Sequence, residues 1–543
     1  MNQKKSIKYP LSKAITSWQL VALGALVGIV SAFAIVAMRL SFEHIQQFFN
    51  LGQYDSFEKD GQVLRSLAPL VGALIILFIA YISHQKYHRM GVPFVLHRQR
   101  KYYGHIPLRN TINQFFSAIA ALASGFSVGK EGPAVHVGAG SASFLSQKLN
   151  LPYNTGRILT ACGIAAGISA TFNAPLAAVV FVLEVVLLQF RIQLFIPVMV
   201  ASIVGSAISQ YFFGDGHVYA HIKIIDIKLY SIVPFLILGV IVGAAAALFN
   251  RSLIAVMKAS SNTSMSLRLP LAGIIVGVVA WFVPHVVGTE HGALSIAFSQ
   301  QPELSFITMI LLGKFIATVC ALGLGIPGGV IGVLYALGAL IGAVITWSVI
   351  PYFPEFAPYA SMAVIICMVA LMASSLNAPM AALVAILEMS EQASIIFPSL
   401  LVLIPAILVA QQIFGIKSLF LEQLDFQNLA YKTSPVYDSL QDTGVLALMR
   451  CKFKCIEHSS DDSNDYLSIP TFIKSTNQAL TFFTPNSAAP LPVLHNNATL
   501  ADVYQKLAPT QGRYVLIVDN KSKELIGFVT WRSLSKHLHT EFE

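Results

Sequence analysis

Ser127-Val128-Gly129-Lys130-Glu131-Gly132-Pro133-Ala134-Val135-His136 lies between two apolar runs and makes a poor helix interior, because it combines two glycines with a proline. It reads as a break where one helix ends and another begins. The glycines of this region occur twice. Gly125, Gly129, Gly132 and Gly138 return as Gly325, Gly329, Gly332 and Gly338, each 200 positions on. Asn173-Ala174-Pro175-Leu176-Ala177-Ala178 returns as Asn377-Ala378-Pro379-Met380-Ala381-Ala382, 204 positions on. Each copy then runs through an apolar stretch to a carboxylate, Glu184 or Glu388. The chain therefore holds two copies of a unit of about two hundred residues, and duplicated membrane folds tend to place their ion site where the copies meet.

Of 543 residues, 55% are hydrophobic and 11% charged, against roughly 25% charge in a soluble domain. Apolar stretches near membrane-spanning length recur: Trp18–Ser41, Leu67–Ser83, Phe172–Phe190, Leu194–Phe213, Ile232–Phe249, Leu269–Val287 and Ile396–Ile413. The first is too long for the apolar core of a secretory signal peptide. The net charge of +9 sits beside spans, so nucleic acid is not an expected partner; the lipid bilayer is. Lys4, Lys5, Lys8 and Lys13 precede the first span, and Lys86, Arg89, Arg98, Arg100 and Lys101 follow the second. Between those spans, Asn50–Gln62 carries only Lys59 as a cation. This bias predicts a cytoplasmic N-terminus, and the soluble tail is expected on the same side. Cys162, Cys320 and Cys367 lie in apolar runs and read as small core residues. Cys451 and Cys455 lack companions for a four-ligand metal site. No metal or cofactor is expected.

The domain reading follows composition. Residues 1–16 form a basic cytoplasmic arm, 17–423 a membrane domain with repeats of about 17–212 and 230–420, and 424–543 a cytoplasmic region. Ser459–Asp465 is too polar for a core. Farther on, Thr499-Leu500-Ala501-Asp502 reads as a capping box with Asp in place of Glu or Gln. Tyr514–Val518 and Leu525–Val529 read as strands, and Trp531–Leu538 as a helix.

Breaking a helix at membrane depth leaves backbone N–H groups that need water or a ligand. A helix start also carries roughly half a positive charge, and glycine lets an anion approach the backbone. A dehydrated chloride could be held there by dipoles alone. Direct contact with a full charge would bind too tightly for release, so the Lys130 ammonium is expected to stand off from the ion. Glu131 has two readings at this point. Its carboxylate could act as a tethered anion that occupies the site and leaves on protonation, or as a cap on the helix start.

Gly129-Lys130-Glu131-Gly132-Pro133 resembles the G-[K/R]-E-G-P motif of the CLC chloride channel and transporter family. Gly325-Ile326-Pro327-Gly328-Gly329-Val330-Ile331-Gly332-Val333 resembles its G-x-P-G-G-x-F-x-P segment, and the two Asn-Ala-Pro stretches resemble its paired helix starts. The likeness covers about residues 18–420 in order. It implies an all-α polytopic fold of two inverted repeats with tilted and broken helices, assembled as a homodimer with one pore per subunit. It also implies that Glu131 is the gating glutamate and that anions pass the backbone of Gly129, Lys130, Glu131, Gly132, Val330 and Ile331. About residues 495–540 resemble a CBS motif, a small α/β unit that sometimes binds a nucleotide. Residues 437–490 show no second copy, and a partner could come from another subunit.

Departures from the family pattern bear on mechanism. The family's G-S-G-I-P is here Arg89-Met90-Gly91-Val92-Pro93, and its late tyrosine falls at Phe420. Both hydroxyl donors to the central anion are thereby absent, leaving backbone amides to do the binding. Ile331 and Val333 replace a phenylalanine and a proline. Proton-coupled members carry an internal glutamate where this chain has Val185. Glu184 is one residue off, about 100° around a helix, and cannot simply substitute. The expectation is therefore chloride transport by a channel gated by Glu131 and weakly coupled or uncoupled to protons. The alternative is a chloride/proton antiporter with a non-standard inner route. No nucleophile–base pair, phosphate loop or metal cluster points to an enzyme.

Three further residues complete the reading. Glu184 and Glu388 could carry protons, but their duplication favours helix-end residues paired with a cation or backbone. Lys314 could add positive potential to an anion path, but is expected to snorkel to an interface. His136 is expected to be packed and hydrogen-bonded rather than a proton carrier.

Overall fold

The computed structural model describes residues 11–12, 17–48, 62–84, 91–190, 192–214, 222, 224–289, 291–299, 303–429, 440–457, 470–474, 481–484, 490–508, 513–520 and 522–542. Two compact units emerge, one of Leu23–Leu145 with Leu159–Ala430, the other of Met1–Ala22, Ser146–Ile158 and Tyr431–Glu543.

The first unit is helical and built twice. Its first copy contains α1 (Trp18–Phe48), α2 (Gln62–Ile82), α3 (Val92–Lys101), α4 (Leu108–Ala123), α5 (Glu131–Lys148), α6 (Tyr153–Phe172), α7 (Pro175–Phe181) and α8 (Ile192–Phe213). The second contains α9 (Ile232–Ala259), α10 (Met265–Phe282), α11 (His291–Ala297), α12 (Leu304–Leu324), α13 (Ile331–Val349), α14 (Ala360–Leu376), α15 (Pro379–Ser390) and α16 (Ile396–Leu408). A last helix, α17 (Leu419–Phe426), follows. Among the described residues, nine helices are long and apolar enough to cross a membrane.

The copies pack alike. Gly24 and Gly28 of α1 meet Pro197 and Ala201 of α8, as Gly239 and Gly243 of α9 meet Val402 and Ala406 of α16. A small residue every fourth position lets these helix backbones touch. The equivalent helices α2 and α10 are antiparallel, since Gly273 abuts Leu70 while Gly277 abuts Ser66. A two-fold axis relating antiparallel spanning helices lies across them, so the repeats are inverted.

Phe172–Phe190 is not one span, as its apolar composition suggests. Asn173 takes the left-handed conformation at φ 55 and the chain restarts at Pro175, then loosens into a π-helical turn at Val182–Leu187. Asn377, at φ 56, does the same before Pro379. Proline explains the boundary, because it disfavours a helical residue before it.

The second unit holds two small sheets. Strands β1 (Lys454–Glu457) and β2 (Thr471–Lys474) pair in parallel, and β2 pairs antiparallel with β3 (Phe482–Phe483). The same order and sense return in β4 (Val493–His495), β5 (Tyr514–Val518) and β6 (Leu525–Thr530). A three-stranded sheet thus precedes residue 490, in a stretch where the sequence shows no second copy of the motif. Its strands are too short, and too separated by polar sequence, to announce themselves. Helix α18 (Leu500–Leu507) opens on the expected capping box, with Thr499 N–H donating to Asp502 Oδ2 at 2.9 Å, and α19 (Trp531–Phe542) closes the unit. The two sheets share an aromatic core, in which the Phe472 ring lies 5.6 Å from Tyr514 and 5.5 Å from Phe528. The start of α6 belongs to this unit. Arg157 Nη1 donates to Asp442 Oδ1 at 2.7 Å, with both side chains buried. Asn154 donates to the carbonyls of Leu11 and Asp442.

Candidate anion passage

Helix α4 ends at Ala123, and Gly125 turns the chain at φ 78, a conformation that penalises any side chain. The second copy repeats this at Gly325, φ 99. The two following turns meet. Gly129 N–H donates to Gly329 O at 2.8 Å, and Gly329 N–H returns the bond to Gly129 O at 2.6 Å. Ser127 and Thr318 share a hydroxyl bond of 2.8 Å beside them. The sequence-level break therefore becomes a two-rung antiparallel contact between repeats.

Helices α5 and α13 start at this contact. Their first internal bonds are Ala134 N–H to Lys130 O and Leu334 N–H to Val330 O. Earlier amides in each helix thus lack intrahelical partners, as at any helix start. Glu131 is the first residue of α5 and has no exposed surface. Its Oε2 lies where a Cβ on Gly129 would stand, and 2.8 Å from one on Gly329. The carboxylate is thus seated against bare backbone from both copies. A Cβ on Gly132 would lie 2.7 Å from Gly328 O, so this packing too requires glycine. Lys130 is buried.

A cavity of about 50 Å³ lies next to these turns. That is room for a few waters or one halide. Val92 and Pro93 from the start of α3 line it, with Gly329, Val330 and Phe420. Two helix starts, each worth roughly half a positive charge, therefore border one small space, with a third helix start alongside. Phe420 is among the lining residues and has no hydroxyl to offer there. Gln423 and Gln427 also line the cavity, and the sequence reading missed them. Gln423 stands three residues after Phe420 on α17, and Gln427 directly follows that helix.

The other candidates are distributed as follows. Met90 lies outside the described residues. Gly91 caps α3 at φ 95, but its N–H points to His136 Nδ1 at 3.3 Å instead of into the cavity. His136 stacks on Phe94 with centroids 5.2 Å apart, so it is packed and hydrogen-bonded. The Ile331 side chain lines a separate apolar cavity with Phe172 and Tyr335, and only its backbone stands at the start of α13. Val185 is buried within the π-helical turn.

Glu184 and Glu388 exchange places between the copies. Glu388 accepts the N–H groups of Leu176 and Ala177 at 2.8 and 2.7 Å. Glu184 accepts those of Met380 and Ala381 at 3.1 and 2.7 Å. Each carboxylate caps the short helix of the opposite repeat, so both are paired with backbone.

Lys314 does not snorkel. It is fully buried in α12, and its Nζ donates to the carbonyls of Val286, Gly288 and Thr289 at 3.1, 2.8 and 2.7 Å. Those carbonyls belong to the segment after α10, past its end at Phe282. The same segment reaches the first turn through Gly288 N–H to Gly125 O at 2.9 Å.

Inverted repeats, interrupted helices and a glycine-floored seat between them define a multi-pass membrane transport protein. The family model for voltage gated chloride channels matches residues 70–411, and the chain belongs to the CLC family. It is 30% identical over 311 residues to the H(+)/Cl(-) exchange transporter ClcA of Cronobacter sakazakii, covering 56% of this chain and 67% of that protein. It covers 64% of ClcA from Yersinia pestis, also at 30% identity, so the chain spans about two thirds of these relatives' own length. The crystal structure of a slow cyanobacterial Cl-/H+ antiporter superposes with TM-score 0.66 at 20% identity, over 76% of this chain and 97% of that one. A eukaryotic CLC transporter superposes with TM-score 0.65 at 17% identity, over 97% of this chain and 99% of that one.

Proposed function

We propose that this chain moves chloride, or a similar small anion, past the contact of Gly129 with Gly329, and that Glu131 is its movable gate. The observation that carries this reading is the Glu131 carboxylate seated on bare backbone from both repeats. A negative head held there occupies the place an anion needs. Protonation removes its charge and its preference for the electropositive helix starts.

Weak or absent proton coupling is the better reading of this chain's own residues. Val185 carries no proton, and Glu184, its neighbour, is committed to two backbone N–H groups. The exchange reading is favoured by the relatives named as H(+)/Cl(-) exchange transporters. Protein reconstituted in liposomes under a chloride gradient separates the two: the first predicts chloride flux without uphill proton movement, the second stoichiometric proton pumping. Glu131→Ala should keep or raise chloride flux and remove its pH dependence. Retained pH dependence in that variant would refute the gate.

A further inference from the structure

The cavity beside the helix starts lacks the hydroxyl at Phe420 that a side-chain anion donor would supply. The helix bearing Phe420 brings a different donor. Phe420 and Gln423 follow the i, i+3 spacing of one helical face, Gln427 is the residue that closes α17, and all three line the cavity. The acidic residues of α17 lie elsewhere: Glu422 and Asp425 line another cleft with Arg251 and Lys258. The cavity-facing side of α17 is therefore uncharged, and Gln423 on it and Gln427 just after it bring two primary amides. Each amide offers two N–H donors. Gln423 Nε2 donates to the sulfur of Met257 at 3.8 Å, a weak acceptor that an anion readily displaces.

We infer that Gln423 and Gln427 supply the side-chain N–H donors of the central anion site, in place of hydroxyls, and thereby set its affinity and selectivity. This rests on the transport reading above and adds a specific ligand set to it. An amide differs from a hydroxyl in reach and in keeping its two N–H donors and its acceptor oxygen on separate atoms. The site can therefore turn either N–H groups to an anion or oxygen to a hydrated one. Binding is expected to favour anions that accept several N–H bonds at once.

The test uses the full-length protein, with chloride binding followed by calorimetry and chloride efflux followed from liposomes. Gln423→Met and Gln427→Met keep chain length and remove the amide. Each should weaken chloride binding about tenfold, the double change about a hundredfold, since a hydrogen bond to a charged group is worth at least that factor. Phe420→Tyr in the double variant should recover about tenfold by returning a hydroxyl to the same face. Wild-type affinity in a monodisperse double variant overturns the inference, as does a tyrosine that recovers nothing. If the methionine variants fail to assemble, Gln423→Glu decides: its carboxylate must abolish chloride binding, and undiminished binding refutes the assignment. A wild-type protein that neither binds nor releases chloride removes the transport reading itself. Wild-type binding unaffected by the double change removes only the amides.

Discussion

Removing the Glu388 carboxylate tests the crossed capping of the two repeats. Glu388→Ala deletes two bonds of 2.8 and 2.7 Å to the N–H groups of Leu176 and Ala177. A hydrogen bond to a charged acceptor contributes about 1.5–3 kcal/mol, so two would contribute about 3–6. Leu176 is only half-buried, and partial access to other partners brings the expectation toward about 3 kcal/mol. Glu184→Ala should cost a similar amount, discounted for the longer 3.1 Å bond to Met380. Glu388→Gln keeps one accepting oxygen and should recover about half. The assay is the unfolding midpoint of purified protein in detergent, read with the proton-to-chloride ratio in liposomes. Both alanine variants should lose stability, and neither glutamine variant should change the ratio. A Glu388→Ala protein as stable as the parent would refute the capping argument. A ratio altered by Glu184→Gln would place that carboxylate on a proton route.

Two further outcomes follow from the same geometry. In Gly329→Ala the new methyl group would stand 2.5 Å from Gly132 N and 2.8 Å from Glu131 Oε2. This change should lower chloride efflux more than tenfold while the protein stays monodisperse on size exclusion. Arg157→Leu leaves Asp442 buried without its 2.7 Å ion pair. It should cost about 3–5 kcal/mol, measured as earlier thermal unfolding and faster proteolysis of the unit containing β1–β6.

Much of the contact between the repeats was legible in the chain because glycine has few other reasons to recur. Gly125 and Gly325 mark left-handed turns, and Gly129, Gly132 and Gly329 mark places where a methyl group does not fit. The capping box at Thr499 was equally plain, being local chemistry over four residues. What escaped depended on distant partners. Lys314 read as a snorkelling cation because sequence does not show that the carbonyls of Val286, Gly288 and Thr289 converge on it. Phe172–Phe190 read as one span because it is apolar throughout, although the Asn-Ala-Pro stretch at its start already disfavoured a continuous helix. The β1–β3 sheet holds few residues per strand, so alternation had no room to show. The same limit hid the turning of Gly91 toward His136, which is a contact between α3 and α5.

The doubly bonded pair Gly129–Gly329 also constrains how the protein moves. Rocking one repeat as a rigid body against the other would shear this pair and strip four buried backbone atoms of their partners. Opening therefore falls to something smaller than a repeat. A single side chain swinging about its own torsions meets that requirement, and its turnover would be limited by rotamer exchange rather than by the slow tilting of whole helices.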